Sequence, residues 1–439
     1  MRQLRRFVRL GLAGASIVSI GAQAQDRRIV TEPLPPTQIC TTLPATGTGD
    51  DTGRLQAAID RCPPGAAVRL VSSATGGRFV SRPLRMASGV TLWVDRGVVL
   101  AAVSDPAAYD RGGGTCGTIA AEGHGCRPFL SFTGTRGGGI VGQGAIDGQG
   151  GATMAGHAES WWQLARRAQR QGGQQNNPRL IEVDHARDIV FHGITLRNAA
   201  NFHVALDAVA GATFWGIRID TPADARNTDG IDPGASTDIT IAHSFIRTGD
   251  DNIAIKAGKG ATRYVSILDD HLYWGHGLSI GSETNAGVSD ILVHDMTLDG
   301  STAGLRIKSD ASRGGLVTRV RYDGVCLRGN QRPVDFDTRY DATRTGEAIP
   351  VYRDIVLHDV AGGDGALVVH GHDADHRLQL TLDGVRFAPN ARWSIAFAQL
   401  AAGPGGVSPT PPGTDLPPAT GPMRDCTAAW LPFPESDLP

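Results

Sequence analysis

Four short polar motifs follow one another along the chain: Asn227-Thr228-Asp229, Gly249-Asp250-Asp251, Gly275-His276-Gly277 and Arg306-Ile307-Lys308. Asp229 and Asp251 are 22 residues apart, Asp251 and His276 are 25 apart, and His276 and Arg306 are 30 apart. In a solenoid with coils of about that length, such residues fall on one face, and neighbouring strands lie about 4.8 Å apart. Three carboxylates, one imidazole and two cations then share a groove. Carboxylates this close cannot all ionise cheaply, so at least one is expected to keep its proton. A protonated acid beside ionised carboxylates is the arrangement that splits a glycosidic bond. One group protonates the leaving oxygen while another activates water or attacks. Arg306 and Lys308 alternate on a strand with Ile307 turned inward, so both cations point into the groove and suit a substrate that carries carboxylates of its own. Each motif alone is an ordinary turn former. Their order and spacing carry the reading.

Such residues need a frame that repeats about every 25 positions. From about residue 67 short β-branched runs alternate with turn residues, the clearest at 188–196, 211–219, 238–246, 265–272 and 290–298. Ile189 to Thr213 spans 24 residues, and Ile239 to Val265 and Val265 to Ile291 span 26 each. Short strands at this period, with no helix inside the repeat, predict an all-β parallel β-helix. No Leu/Asn frame of a leucine-rich repeat is visible, and a propeller blade needs about 40 residues. Asp51 or Thr52 can cap a short helix with Leu55, Ala58, Ile59 and Cys62 on one face, placed to cover the open end of the solenoid. A second helix is expected over about 158–169, as an insertion on one coil. Residues 402–422 read as a Pro/Gly linker with nothing to bury, followed by a tail in which Cys426, Trp430 and Phe433 dock back on the body. The chain thus divides into a leader (1–24), one β-helix domain (25–401) and a tethered tail (402–439).

Residues 1–24 carry a basic start (Arg2, Arg5, Arg6, Arg9), an apolar run from Leu10 to Ile20 and a small-x-small site at Ala22-Gln23-Ala24, the pattern of an export signal cleaved near Ala24. No other stretch approaches the ~18 apolar residues of a membrane span, so an exported chain without a membrane anchor is expected. Without the leader the chain holds 38 basic and 44 acidic residues, which disfavours nucleic acid as a partner. Only three lysines occur, Lys256, Lys259 and Lys308, all within the stretch that carries the motifs. Six cysteines in an exported chain suggest disulfides. Local spacing favours Cys40–Cys62 and Cys116–Cys126 and leaves Cys326–Cys426. No Cys/His spacing suggests zinc, and no cofactor or metal is implied.

The ordered set NTD, GDD, GHG and RIK resembles the polygalacturonases, family 28 of the glycoside hydrolases. The likeness covers almost the whole chain after the leader to about residue 400. It extends through VTEPLPPTQICTTL, SWWQLARRAQ, QNNPRLI, NFHV, ARNTDGIDP, TGDDNIAIKA, GHGLSIGSET and GLRIKSD, segments similar to those of secreted bacterial endopolygalacturonases. The resemblance implies a right-handed, single-stranded parallel β-helix that hydrolyses α-1,4 bonds of polygalacturonate with inversion, as a monomer. It implies Asp250 as general acid, Asp229 and Asp251 as activators of water, and His276 as support for the acid. It further implies Arg306 and Lys308 as ligands of the galacturonate carboxylate, Tyr340 near the reducing-side subsite, and Asn227 and Lys256 along the cleft. Residues one coil apart sit about 5 Å from each other, a separation that by itself predicts retention; the family inverts.

Two readings of other kinds compete. A pectate lyase would use Asp229, Asp250 and Asp251 to hold Ca²⁺ with Arg306 as base, and a β-helical adhesin would bind acidic glycan without turnover. Within the hydrolase reading, exo action would need added loops across one end of the groove. None is visible near the motifs, although the Gly-rich 111–126 loop can narrow it. An acidic optimum is expected, because the acid must stay protonated.

Overall fold

The computed structural model describes residues 26–47, 49–121 and 125–435, so the expected leader lies outside the described residues. Each coil as far as Tyr273 supplies three strands, and from Val288 on the second and third run together as one, as in Val288–Asp299 and Leu316–Arg328. In one three-stranded coil the strands are Val204–Asp207, Ala210–Trp215 and Arg218–Asp220, after which a loop returns the chain to Ile231–Gly234 one rung further on. The first strand of every coil joins an 11-stranded sheet, here the cleft sheet, and the others belong to a 21-stranded sheet wrapped around the remaining walls. Rung-to-rung pairing is parallel throughout both sheets, and the result is a right-handed parallel β-helix.

Inward positions are apolar on every coil because alternate side chains of a strand face one side. Phe191 stacks on Phe214 at 4.7 Å between ring centroids and meets Phe132 edge to face at 6.0 Å. The register matches the expected pairing of Ile239 with Val265 and of Val265 with Ile291. Ile189, however, pairs with Ala212 rather than Thr213. A one-residue slip turns a strand inside out, and the observed register keeps both members of the pair buried.

The corner between the second and third strands has a specific backbone demand. Gly193, Gly216, His243, Asp269, Asp295, Gly324, Asp359 and Gly384 occupy it on successive coils, and all have φ between 51° and 69°. Glycine enters this left-handed region without penalty, and Asp or His tolerates it better than most residues. This explains the His-Gly and Trp-Gly pairs of the repeats.

The helix Thr52–Arg61 closes the N-terminal end with Leu55 and Ile59 fully buried. Asp51 occupies the N-cap position but does not cap: its carboxylate accepts from Arg54 Nε at 2.7 Å and from the Val80 amide at 3.0 Å. The inserted helix is Trp161–Arg170, opened by a capping box between Ser160 and Gln163. All three disulfides are present as Cys40–Cys62, Cys116–Cys126 and Cys326–Cys426. The 402–422 segment departs from the linker expected of it. Val407–Ser408 pairs with the strand Leu378–Arg386, Val407 is fully buried, and the Pro409 carbonyl accepts from Trp393 Nε1 at 2.9 Å. One valine and one carbonyl suffice to make this Pro-rich stretch part of the C-terminal closure.

Candidate active site

Asp229, Asp251 and His276 each stand two residues before paired cleft-sheet positions, Ile231, Ile253 and Leu278. They therefore form one column, as the spacings of 22 and 25 predict. Arg306 and Lys308 do not continue it. They lie on the strand Ala303–Lys308, where Arg306 pairs with Ser279 and Lys308 with Gly281, so both cations stand further along the strand than His276. Ile307 is buried between them, as expected. The longer interval of 30 is this offset.

Close approach of neighbouring coils dictates the glycines around His276. A Cβ on Gly275 would lie 2.6 Å from the Asp250 carbonyl oxygen, and one on Gly277 would lie 2.1 Å from that of Ala303. The His276 amide donates to the same Asp250 carbonyl at 2.8 Å. Buried Asn252 ties the two loops together: its amide donates to the carbonyls of Ile246 and Tyr273, and its oxygen accepts from the Gly277 amide at 3.0 Å.

The three aspartates have different surroundings. Asp250 Oδ1 accepts from His276 Nδ1 at 3.1 Å and from the Asp251 amide at 3.0 Å, and Oδ2 accepts from the Asn227 amide at 3.2 Å. Burial acts to raise its pKa, but the His276 bond and the charges of His276 and Lys308 outweigh this and hold Asp250 well below the usual carboxylate range. Asp251 accepts from Ser279 Oγ at 2.8 Å and Lys308 Nζ at 2.7 Å, with Arg306 Nη1 3.6 Å away. Asp229 differs from both. Its Oδ1 is buried with no hydrogen-bond partner among the described residues, and Oδ2 lies 3.6 Å from Lys256 Nζ. Burial first, then the negative charges of Asp232 and Asp250, push Asp229 well above the usual range. Of the three carboxylates it is Asp229, not Asp250, whose surroundings favour the protonated form. The physical reason is that Asp250 sits against an imidazole while Asp229 has no donor.

Lys256 is less a free cleft cation than a tie between carboxylates. It lies 3.0 Å from Asp232 and 4.7 Å above the Phe202 ring, and the surrounding acids outweigh its burial to raise its pKa. Asn227 has φ 56° and contributes its backbone amide, while its side-chain oxygen is held by Gln175 Nε2 at 2.9 Å. Tyr340, 44% exposed, lays its ring 5.1 Å from the Arg306 guanidinium and 5.3 Å from Lys308 Nζ. Every expected site residue except the cysteines is thus gathered at one groove. Lys259 is elsewhere, paired with Asp207 on the exposed side.

Sequence reasoning passed over several neighbours. Asp232, buried and pushed up to about 6 chiefly by that burial, holds Lys256. Its signal was available, three residues after Asp229 in the same motif. Asp335 lies 3.3 Å from Arg306. His203 is fully buried, and burial lowers its pKa to about 4. Carbonyls only accept, so its Nδ1–H must donate to the Thr228 and Asp229 oxygens at 3.2 and 3.1 Å, and Nε2 accepts from Thr221 Oγ1 at 2.7 Å. A neutral imidazole thereby fixes the backbone that carries Asp229. Gln175, brought in where Gln174–Gln175 pairs with Ile119–Ala120 of the disulfide-closed loop, also contacts Arg226 at 2.9 Å and draws that loop against Asn227.

The ligating atoms of Asp250, Asp251 and His276 lie within 4.8 Å of one another, close enough to hold a metal ion. The chain already supplies the balancing charge, however, because Lys308 and Arg306 stand against Asp251.

The model of the family described as glycosyl hydrolases family 28 matches residues 111–392. An endo-polygalacturonase of Pectobacterium parmentieri is 41% identical over 394 residues, covering 89% of this chain and 97% of its own length. A polygalacturonase of Ralstonia solanacearum is 39% identical over 453 aligned residues, covering 87% and 85% of the two chains. Among solved structures, the polygalacturonase of Erwinia carotovora ssp. carotovora superposes with a TM-score of 0.83 at 40% identity, over 86% of this chain and 100% of that one. The family match spans the whole groove from Asn227 to Tyr340, and the chain belongs to family 28 of the glycosyl hydrolases.

Proposed function

We propose that this chain is an endo-acting polygalacturonase that hydrolyses α-1,4 bonds of polygalacturonate with inversion, outside the cell. Relatives named endo-polygalacturonase at 41% identity support the substrate and the mode. The cleft sheet also continues on both sides of the acid cluster, from Leu84–Arg85 at one end to Arg392–Ala396 at the other, which suits a polymer lying across the site. The disulfide-closed loop pairs at Ile119–Ala120 with Gln174–Gln175, and Gln175 in turn reaches Asn227. Three disulfides and the expected leader suit an oxidising compartment.

The observation that carries the mechanism is the buried, unpartnered Oδ1 of Asp229 beside the fully bonded Asp250 and Asp251. With no donor on that oxygen Asp229 is the most basic of the three carboxylates, so it is the group to receive the proton of the attacking water, and Asp251 orients that water from the next coil. The sugar carboxylate lies against Arg306 and Lys308 beneath Tyr340. Its charge opposes that of Lys308, one of the groups holding Asp250 down, so substrate binding raises Asp250 toward the protonated form. His276 Nδ1, on Asp250 Oδ1, supplies the proton that Asp250 passes to the leaving oxygen. Inversion follows from water delivered to the opposite face of the sugar, even though the carboxylates stand closer than the usual separation for inverting pairs. Asp229 must be deprotonated to act, which sets the acid limb of the rate. Loss of the proton that Asp250 must carry in the substrate complex sets the other, and the optimum is acidic. A rate still rising through pH 8 would contradict this.

The test is incubation with polygalacturonate and a chelator, following viscosity, reducing ends and unsaturated products together. A fast viscosity drop with few reducing ends and no unsaturation is expected. Reducing ends with viscosity lagging would mean exo attack. Unsaturated products lost on chelation would make the chain a lyase and overturn the assignment.

A further inference from the structure

A second groove, of about 710 Å³, runs along the corner between the second and third strands of the early coils and shares no residue with the acid cluster. Its floor includes Gly142, Gly193 and Gly216, and its lining includes Trp93, His192 and Trp215. Trp93, Val141, His192 and Trp215 are paired in register on successive rungs. The two indoles are therefore three rungs, or about 14 Å, apart. The N-terminal arm forms the far wall at Glu32 and Pro35, anchored where Asp26 accepts from Thr240 and Arg27 pairs with Asp238.

The corner favours the glycines, and each ring keeps one neighbour, with the Arg69 guanidinium 5.1 Å over Trp93 and the His243 ring 4.6 Å from Trp215, leaving the rest of each indole to line the groove. On the next two coils the position of Trp215 is Ala242 and then Leu268, with the corner intact. Both indoles are only partly buried. A Cβ on Gly216 would meet nothing within 4 Å, so the floor beside Trp215 is open. Polar groups converge on the same groove. Arg69 pairs with Asp95, and Glu32 with His192. Arg96 is exposed and bonds only the neutral amide oxygen of Gln143, at 3.0 and 2.7 Å, so among the described residues its charge is not neutralised. Indole faces spaced along a glycine-floored trough, with planar hydrogen-bonding groups and one unpaired cation, have the chemistry that receives a chain of sugar rings bearing carboxylates.

We infer that this corner groove is a second binding site for an acidic polysaccharide, separate from the catalytic cleft. The inference rests on the substrate class proposed above, since the same polymer would occupy both sites. A non-catalytic grip on one part of a polymer raises the effective concentration of the rest at the cleft. The benefit should appear on long or gelled substrate and vanish on short oligomers.

The test uses the full chain carrying Asp250→Asn, retained on immobilised polygalacturonate while a short oligogalacturonate saturates the cleft. Retention is expected to persist, to fall about tenfold in Trp93→Ala/Trp215→Ala, and to fall about threefold in Arg96→Gln with a weaker salt dependence. In the active background these variants should keep full turnover of a short oligomer and lose rate on gelled pectin. Arg96 is exposed, so its variant keeps the test decisive if the double variant folds poorly. Retention unchanged in both variants, or abolished by the short oligomer alone, overturns the groove. Equal retention on fully methyl-esterified pectin overturns its acidic ligand. If the unmutated chain cleaves polygalacturonate while the groove variants behave normally, only this inference fails; no cleavage at all would be the failure of the functional reading instead.

Discussion

Aspartates occur both on the outer wall and in the cleft, and the two regions treat them in opposite ways. On the outer wall Asp290 meets Arg319 Nε at 2.6 Å, and the hydrogen bond from that guanidinium lowers its pKa. Arg319 is 55% exposed and water shares the load. In the cleft Asp229 and Asp232 share one lysine between them, are sealed from solvent, and are both pushed upward by burial. The residue type is the same. What separates a brace from a reacting group is whether each carboxylate oxygen has a donor and whether water can reach it.

The contrast breaks most visibly in turnover. Asp250→Asn should lower kcat by ~10³-fold or more on polygalacturonate, within the range for losing an acid–base group, with thermal stability nearly intact. Asp290→Asn should leave kcat within about twofold, since it lies outside the groove. Comparable losses in the two variants would remove the distinction between the regions.

Stability should separate them next. Lys308→Met removes the nearer of the two cations at Asp251, whose side chain is 2% exposed, and leaves its buried charge only Arg306 at 3.6 Å. Denaturant unfolding should show a loss of about 3–5 kcal/mol. Arg319→Met removes the partner of Asp290 in an exposed pair and should cost about 0–1 kcal/mol. Equal costs would mean that water reaches Asp251 as freely as it reaches the outer wall.

The smallest effect is a difference of sign. Asp232 is raised in the folded chain, so the stability it contributes is complete below the unfolded pKa and is lost as pH rises from about 4 through about 6. Asp290 is lowered, so its contribution is present above the unfolded value and is lost as pH falls through the folded one. Unfolding free energies measured from pH 3 to 7 should fall less steeply on the alkaline side of this range in Asp232→Asn than in the unmutated chain. An unchanged slope would place Asp232 in water.

A corresponding division appears within the site when it is compared with what its motifs foretold. Asp229, Asp251 and His276 were legible because a coil length is a number in the sequence, and equal register puts equal offsets in one column. Arg306 and Lys308 were legible as groove residues because strand alternation turns them outward together. Which carboxylate holds the proton was not legible, because it depends on an imidazole, a lysine and a backbone amide converging from different coils. Asp335 and His203 escaped for the same reason: each is an unremarkable polar residue in its own segment and gains a role only from what the neighbouring coil places against it. Asp232 stood in view three residues after Asp229, and only its hold on Lys256 needed the fold.

The sequence by itself determined the period, the strand type, the outward-facing acids and cations, the cysteine pairs that local spacing favours, and membership of a family recognisable from four short motifs. These depend on residue order, which survives unfolding. Tertiary structure alone decided the one-residue register at Ile189, the conversion of a Pro-rich stretch into a closure around Val407, and the opposite pushes on the pKa values of Asp229 and Asp250. It also decided the meeting of Trp93 and Trp215 along one groove from positions 122 residues apart. Burial, solvent exclusion and hydrogen-bond completion are properties of surfaces brought together, so no segment carries them before the coils stack.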